Sequence, residues 1–102
     1  MTQEVTAAEF KEKYTTDLVL ADFFSATCGP CKMLSFVLKD VEKLFPELNI
    51  LKVNFEANPD LCQEFGVAGY PTIILFKNGE EKKRMNGLQQ KTAIVKLIEE
   101  FK

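Results

Sequence analysis

The run Leu18-Val19-Leu20-Ala21-Asp22-Phe23-Phe24 constrains this chain more than any other stretch, because it is apolar at almost every position with no alternation. A strand that alternates apolar and polar residues can leave one face in water, whereas one that is apolar on both faces has to be covered on both. The sequence therefore predicts a central strand with helices on either side. Within that strand Asp22 is out of character.

Thr6-Ala7-Ala8-Glu9 has the spacing of a capping box, and Phe10 and Tyr14 share a face, which predicts a short amphipathic helix ending before Thr15. Beyond the central strand, Leu34, Val37, Leu38, Val41, Leu44 and Phe45 recur at helical spacing from Cys31 to about Phe45, where Pro46 ends the run. Ile50 to Phe55 reads as a second core strand. Asn58-Pro59 predicts a helix start, a side-chain cap followed by proline, with Leu61, Cys62 and Phe65 buried and Gly66 closing it. Thr72 to Phe76 is a third apolar strand, and Asn78-Gly79 predicts a two-residue hairpin into a charged edge strand from about Glu81 to Asn86. Gly87 breaks that strand, and Gln89 to Phe101 reads as the last helix. With a short strand near Gln3 to Val5, this order indicates an α/β sandwich with a mixed sheet between helices and a right-handed parallel crossover joining the first two long strands.

A chain of 102 residues suits a single domain over 1–102, because a second core would be hard to sustain. Its 13 Lys and Arg against 15 Asp and Glu leave a formal net charge of -2, with no basic stripe for nucleic acid. No apolar run approaches a membrane-spanning length, and the N-terminus lacks the basic start and apolar stretch of a secretory signal. A cytoplasmic monomer that binds neither nucleic acid nor membrane is expected.

Cys28-Gly29-Pro30-Cys31 falls where the central strand gives way to the long helix. Three cysteines are too few for a disulfide framework, and the loop between this pair is too small for a structural staple, so the spacing points to exchange chemistry or metal. At a helix start, free N–H groups and the positive end of the dipole stabilise a thiolate, which suits Cys28 to attack. Cys31, one turn later and less exposed, suits the resolving role. Gly29 keeps side chains clear of a docking disulfide, and Pro30 loses no hydrogen bond in the first turn. A zinc site of four cysteines, or of two cysteines and two histidines, cannot be completed in a chain with no histidine and one further cysteine, Cys62, which reads as a small core residue. Metal shared with a second chain stays open.

A carboxylate in an apolar strand is costly unless paired or protonated, so the pKa of Asp22 is expected to rise. Lys52, in the neighbouring strand, is a candidate partner, and Asp22, through Lys52 or a water, is a candidate relay for the Cys31 proton. The alternative is that Lys52 reaches the surface and Asp22 lies at a strand edge. Pro71 stands at the start of the third strand, where a proline spares the ladder, and most X-Pro bonds are trans. Tyr70 fits core or substrate contact equally well.

Asp22-Phe23-Phe24 ahead of Cys28-Gly29-Pro30-Cys31-Lys32-Met33, then Lys52-Val53-Asn54, Asn58-Pro59, Phe65-Gly66-Val67, Tyr70-Pro71-Thr72, Phe76-Lys77-Asn78-Gly79 and Gly87, closely resemble the thioredoxin family in order and spacing. The resemblance covers essentially the whole chain. It implies a thioredoxin fold, a central mixed five-stranded sheet flanked by four helices, with Cys28 as attacking and Cys31 as resolving cysteine. It further implies that Asp22 is the buried acid behind the pair with Lys52 its partner, and that Pro71 is a cis-proline facing the disulfide. The Tyr70 backbone would pair with a bound peptide, in a groove lined by Gly69 and Gly87.

Three positions depart from the family pattern. Thr27 stands where tryptophan usually precedes the first cysteine, and its hydroxyl is expected to reach toward the site instead. Tyr70 replaces the common threonine or isoleucine and is expected to restore aromatic surface by swinging over the disulfide. Phe36 occupies the place of a second proline, so a straighter long helix is expected. These changes bear on partner choice more than on the cysteine chemistry.

The function expected is reduction of protein disulfides through a mixed disulfide, with disulfide-containing proteins as substrates. By resemblance, a flavin-dependent thioredoxin reductase resets the pair, with no cofactor bound to this chain. A binding or scaffold module of the same fold, with incidental redox turnover, is the alternative.

Overall fold

The computed structural model describes residues 1–102. Its elements run β1 (Thr2–Glu4), α1 (Ala7–Lys13), β2 (Leu18–Phe24), α2 (Gly29–Leu44), β3 (Asn49–Asn54), α3 (Pro59–Glu64), β4 (Thr72–Lys77), β5 (Glu80–Asn86) and α4 (Lys91–Phe101). The strands form one sheet in the order β1-β3-β2-β4-β5, so the apolar run of β2 lies at its centre. β1, β3 and β2 are parallel, while β4 is antiparallel to both β2 and β5.

Side chains alternate across a strand, and β2 uses both faces. Val19, Ala21 and Phe23 pack with Phe10 of α1 and Leu61 and Cys62 of α3, while Leu20 packs with Leu34, Leu38 and Val41 of α2 and Ile94, Leu97 and Ile98 of α4. By the same parity Asp22 and Lys52 share the α2/α4 face with Leu20 and Ile50, directly opposite one another in the β2–β3 register.

Local chemistry sets most element ends. Thr6 Oγ1 accepts from Glu9 N at 3.2 Å and Glu9 Oε1 accepts from Thr6 N at 2.9 Å, closing the capping box of α1. Asn78 and Gly79 take φ of 52° and 82°, the left-handed pair that a two-residue hairpin needs. Just past the end of α3, Gly66 takes a φ of 66° that closes the helix, with Gly66 N bonding Gln63 O at 3.1 Å and Val67 N bonding Cys62 O at 2.7 Å.

Three local expectations are corrected. Asn58 does not cap α3 with its side chain; its amide donates to Asn54 O at 3.0 Å, while Asn54 Oδ1 accepts from Ala57 N at 3.0 Å. α2 begins at Gly29 rather than Cys31, because Cys28 itself is the N-cap. Leu44 stays exposed, while Phe45 beside it packs against the α2/α4 core. No helix is long and apolar enough to cross a membrane.

Candidate active site

Cys28 and Cys31 are joined in a disulfide at the start of α2, just beyond the end of β2. Cys28 has extended backbone angles (φ -96°, ψ 118°), and its Sγ accepts from Cys31 N at 3.1 Å. A helix leaves its first N–H groups without partners, and here one of them is aimed at sulfur. The first turn carries no acidic residue to compete for the positive end of the dipole, so the site favours negative charge on Cys28 once the disulfide is reduced. Cys28 is half-buried and Cys31 buried, while Gly29 and Pro30 are exposed, which leaves the first sulfur the approachable one. Pro30 lies in the first turn, where its missing N–H is not needed.

Asp22 is 1 % exposed, and neither carboxylate oxygen has a hydrogen-bond partner. Burial pushes its pKa from 3.8 to about 6, against the opposing pull of the Lys52 charge. Lys52 forms no ion pair with it. The ammonium instead donates to Ser35 Oγ at 3.3 Å and stands 4.8 Å from the centre of the Phe24 ring. The two residues are thus neighbours in register without an ion pair, and Asp22 lies buried in the central strand rather than at an edge. Ser35 was legible as a member of this group only through its spacing, four residues after Cys31 on the same helix.

The hydroxyl of Thr27 turns to Ser25, with 3.3 Å between the two oxygens, and Thr27 N donates to Ser25 Oγ at 3.4 Å. Ser25, buried behind the site, escaped the sequence reading because one serine after a strand carries no distinctive signal. Tyr70 is 44 % exposed and sets its ring against that of Phe55, with centroids 5.2 Å apart and planes tilted by 66°. The Tyr70–Pro71 peptide bond is cis. A groove of about 480 Å³ brings Gly69, Tyr70, Pro71 and Gly87 together, with Arg84 and Asn86 of β5 along its side. Gly87 N donates to Pro71 O at 2.7 Å, and the Thr72 hydroxyl donates to Gly69 O at 2.8 Å, which pins the C-terminal end of the loop.

A second cavity, of about 540 Å³, lies at the opposite end of β2 among Leu18, Phe45, Leu48 and Ile98, away from the cysteines. No group of three or more His, Cys, Asp or Glu is arranged to hold a metal ion. Cys62 is a buried free thiol, its pKa raised by burial and by the Glu56 carboxylate. It serves as a core residue of the α1/α3 face.

A reversible two-cysteine disulfide at a helix N-terminus, placed at the end of a central strand, defines a thiol–disulfide oxidoreductase. A thioredoxin family model matches residues 1–100. A thioredoxin from Chlamydia muridarum is 45 % identical over 98 residues, covering 96 % of each chain. Among solved structures, a mutant thioredoxin from Halobacterium salinarum superposes with a TM-score of 0.86 at 32 % identity, covering 99 % of this chain and 88 % of its own. A thioredoxin from Nicotiana alata superposes with a TM-score of 0.91 at 26 % identity, covering 99 % and 92 %. The chain belongs to the thioredoxin family, has the thioredoxin fold, and is a disulfide reductase acting through the Cys28–Cys31 disulfide.

Proposed function

We propose that the whole chain, 1–102, works as one monomeric cytoplasmic domain that passes two electrons from its Cys28–Cys31 dithiol to disulfides in other proteins. The Cys28 thiolate attacks one substrate sulfur, forming a mixed disulfide and expelling the other substrate sulfur as a thiolate that takes up a proton. Cys31, after passing its proton through Lys52 or a water to the Asp22 carboxylate, attacks Cys28 Sγ and releases the second substrate thiolate. The chain is left oxidised and the substrate reduced. A flavin-dependent thioredoxin reductase, fed by NADPH, then returns two electrons to the pair.

The observation that carries this reading is the Cys31 N–H aimed at the Cys28 sulfur from the first turn of α2. Asp22 supports the relay because a buried carboxylate titrating near 6 is largely ionised at neutral pH, yet close enough in pKa to exchange protons with a thiol. Lys52 acts on Asp22 through its charge, from its position at Ser35. Around the disulfide, Thr27, Gly29, Pro30, Gly69, Tyr70, Pro71 and Gly87 form the docking surface. Free edges on the loop suit an extended peptide, which pairs through backbone with Tyr70.

A coupled assay with reductase, NADPH and a protein disulfide tests the scheme. Wild type turns over, and Cys31→Ser accumulates a mixed disulfide on Cys28; absence of both results defeats the reading. Full function with both cysteines replaced would show a binding module instead. Asp22→Ala should slow resolution most at neutral pH, and an unchanged rate across pH would remove the relay.

A further inference from the structure

The C-terminus of α3, where the chain turns into the groove loop, is closed from two directions. From within, the bonds at Gly66 and Val67 satisfy the carbonyls of Gln63 and Cys62. The carbonyls of Phe65 and Gly66 are taken by a side chain from the edge strand. Arg84 donates from Nη2 to Phe65 O at 2.6 Å and from Nη1 to Gly66 O at 2.9 Å. Glu81 holds the guanidinium by its other edge, accepting from Nε at 3.0 Å and from Nη2 at 2.8 Å.

Four of the guanidinium's five N–H groups are therefore committed inside the protein. Little is left for gripping an anion on a partner, although Arg84 lines the same groove as Gly69, Tyr70, Pro71 and Gly87. Its contacts suit placement. Charge-assisted, two-pronged bonds fix direction as well as distance. β5 and the residue that follows it thus hold the loop at both ends, through Arg84 on Phe65 and Gly66 and through Gly87 N on Pro71 O.

We propose that Arg84, oriented by Glu81, is a positioning residue that sets the Val67–Pro71 loop against β5 and so fixes the shape of the groove that receives a disulfide-bearing peptide. The proposal rests on the reading of that groove as the substrate-docking surface. Removing the clamp frees the start of the loop while leaving the cysteines and α2 untouched, so the loss belongs in substrate binding.

Arg84→Met keeps the length of the side chain and removes its donors. The KM for a protein disulfide is expected to rise about tenfold with kcat nearly unchanged, as displaced positioning groups produce. The rate with a small aromatic disulfide, which does not occupy the groove, should hold. Arg84→Lys should recover part of the KM, and Glu81→Gln should add nothing to Arg84→Met, because the two side chains act as one unit. Gly69→Val serves as a direct groove variant, since a Cβ there meets no atom within 4 Å. If Gly69→Val raises KM and Arg84→Met does not, the inference about Arg84 fails and the groove stands. If neither raises it, the groove reading fails and the inference with it. Equal losses on protein and small disulfides would also overturn it, by making Arg84 a general structural support.

Discussion

At the scale of single residues, Asp22 holds the most tension, because both its oxygens are buried without partners. Its position in an apolar run predicts burial and an upward pKa, while the lack of any partner is a finding of the structure. The placement of Lys52 was not legible, because an ammonium on a flexible stem chooses among acceptors that only α2 and β2 bring near, here Ser35 and the Phe24 ring. With a pKa raised from 3.8 to about 6, the folded protein binds a proton more tightly than the unfolded chain. The stability associated with Asp22 is therefore fully present below about pH 4 and is lost as pH rises through about 6. Asp22→Asn should make the oxidised protein more stable than wild type at pH 8, by about 3 kcal/mol on the scale of a two-unit shift, with the difference vanishing near pH 4. Urea unfolding at the two pH values measures this, and an equal gap at both would remove titration as its cause.

At the scale of elements, local rules hold at two sites whose partners lie within a few residues. The Thr6–Glu9 box and the Asn78-Gly79 turn form as their spacing predicts. Asn58 departs from this pattern, because its side chain turns back to donate to Asn54 O instead of capping the first turn of α3. The hairpin also has a tertiary constraint that its dipeptide conceals. A Cβ on Gly79 would lie 3.1 Å from Thr15 Cγ2, on a backbone already at φ 82°. Gly79→Ala should destabilise the fold by about 1–2 kcal/mol, from the left-handed conformation and the crowding together. Thermal unfolding checks this, and a Tm equal to that of wild type would mean that the turn relaxes freely away from Thr15.

At the scale of the whole molecule, stability comes from two apolar layers on either side of one sheet. Phe10 links the α1/α3 layer, with its ring 5.2 to 6.1 Å from those of Tyr14, Phe23, Phe65 and Phe76. Phe10→Ala should cost about 3–5 kcal/mol, because the emptied volume is bounded by rings already held in place by their own neighbours. A lower urea midpoint with unchanged slope would show this as loss of packing, whereas a changed slope would signal a different folded or unfolded state. The sequence by itself determined the layered sandwich, the central strand and the two cysteines at a helix start, because periodicity, capping and turn chemistry act between residues close along the chain. Only the tertiary structure decided that Asp22 stays unpaired, that Thr27 turns to Ser25, that Tyr70 leans on Phe55, and that Arg84 fastens the loop of the groove. Each of these is a choice among partners distant in sequence or equivalent in local chemistry, and such choices are made by which surfaces the packed layers bring within hydrogen-bond or van der Waals reach.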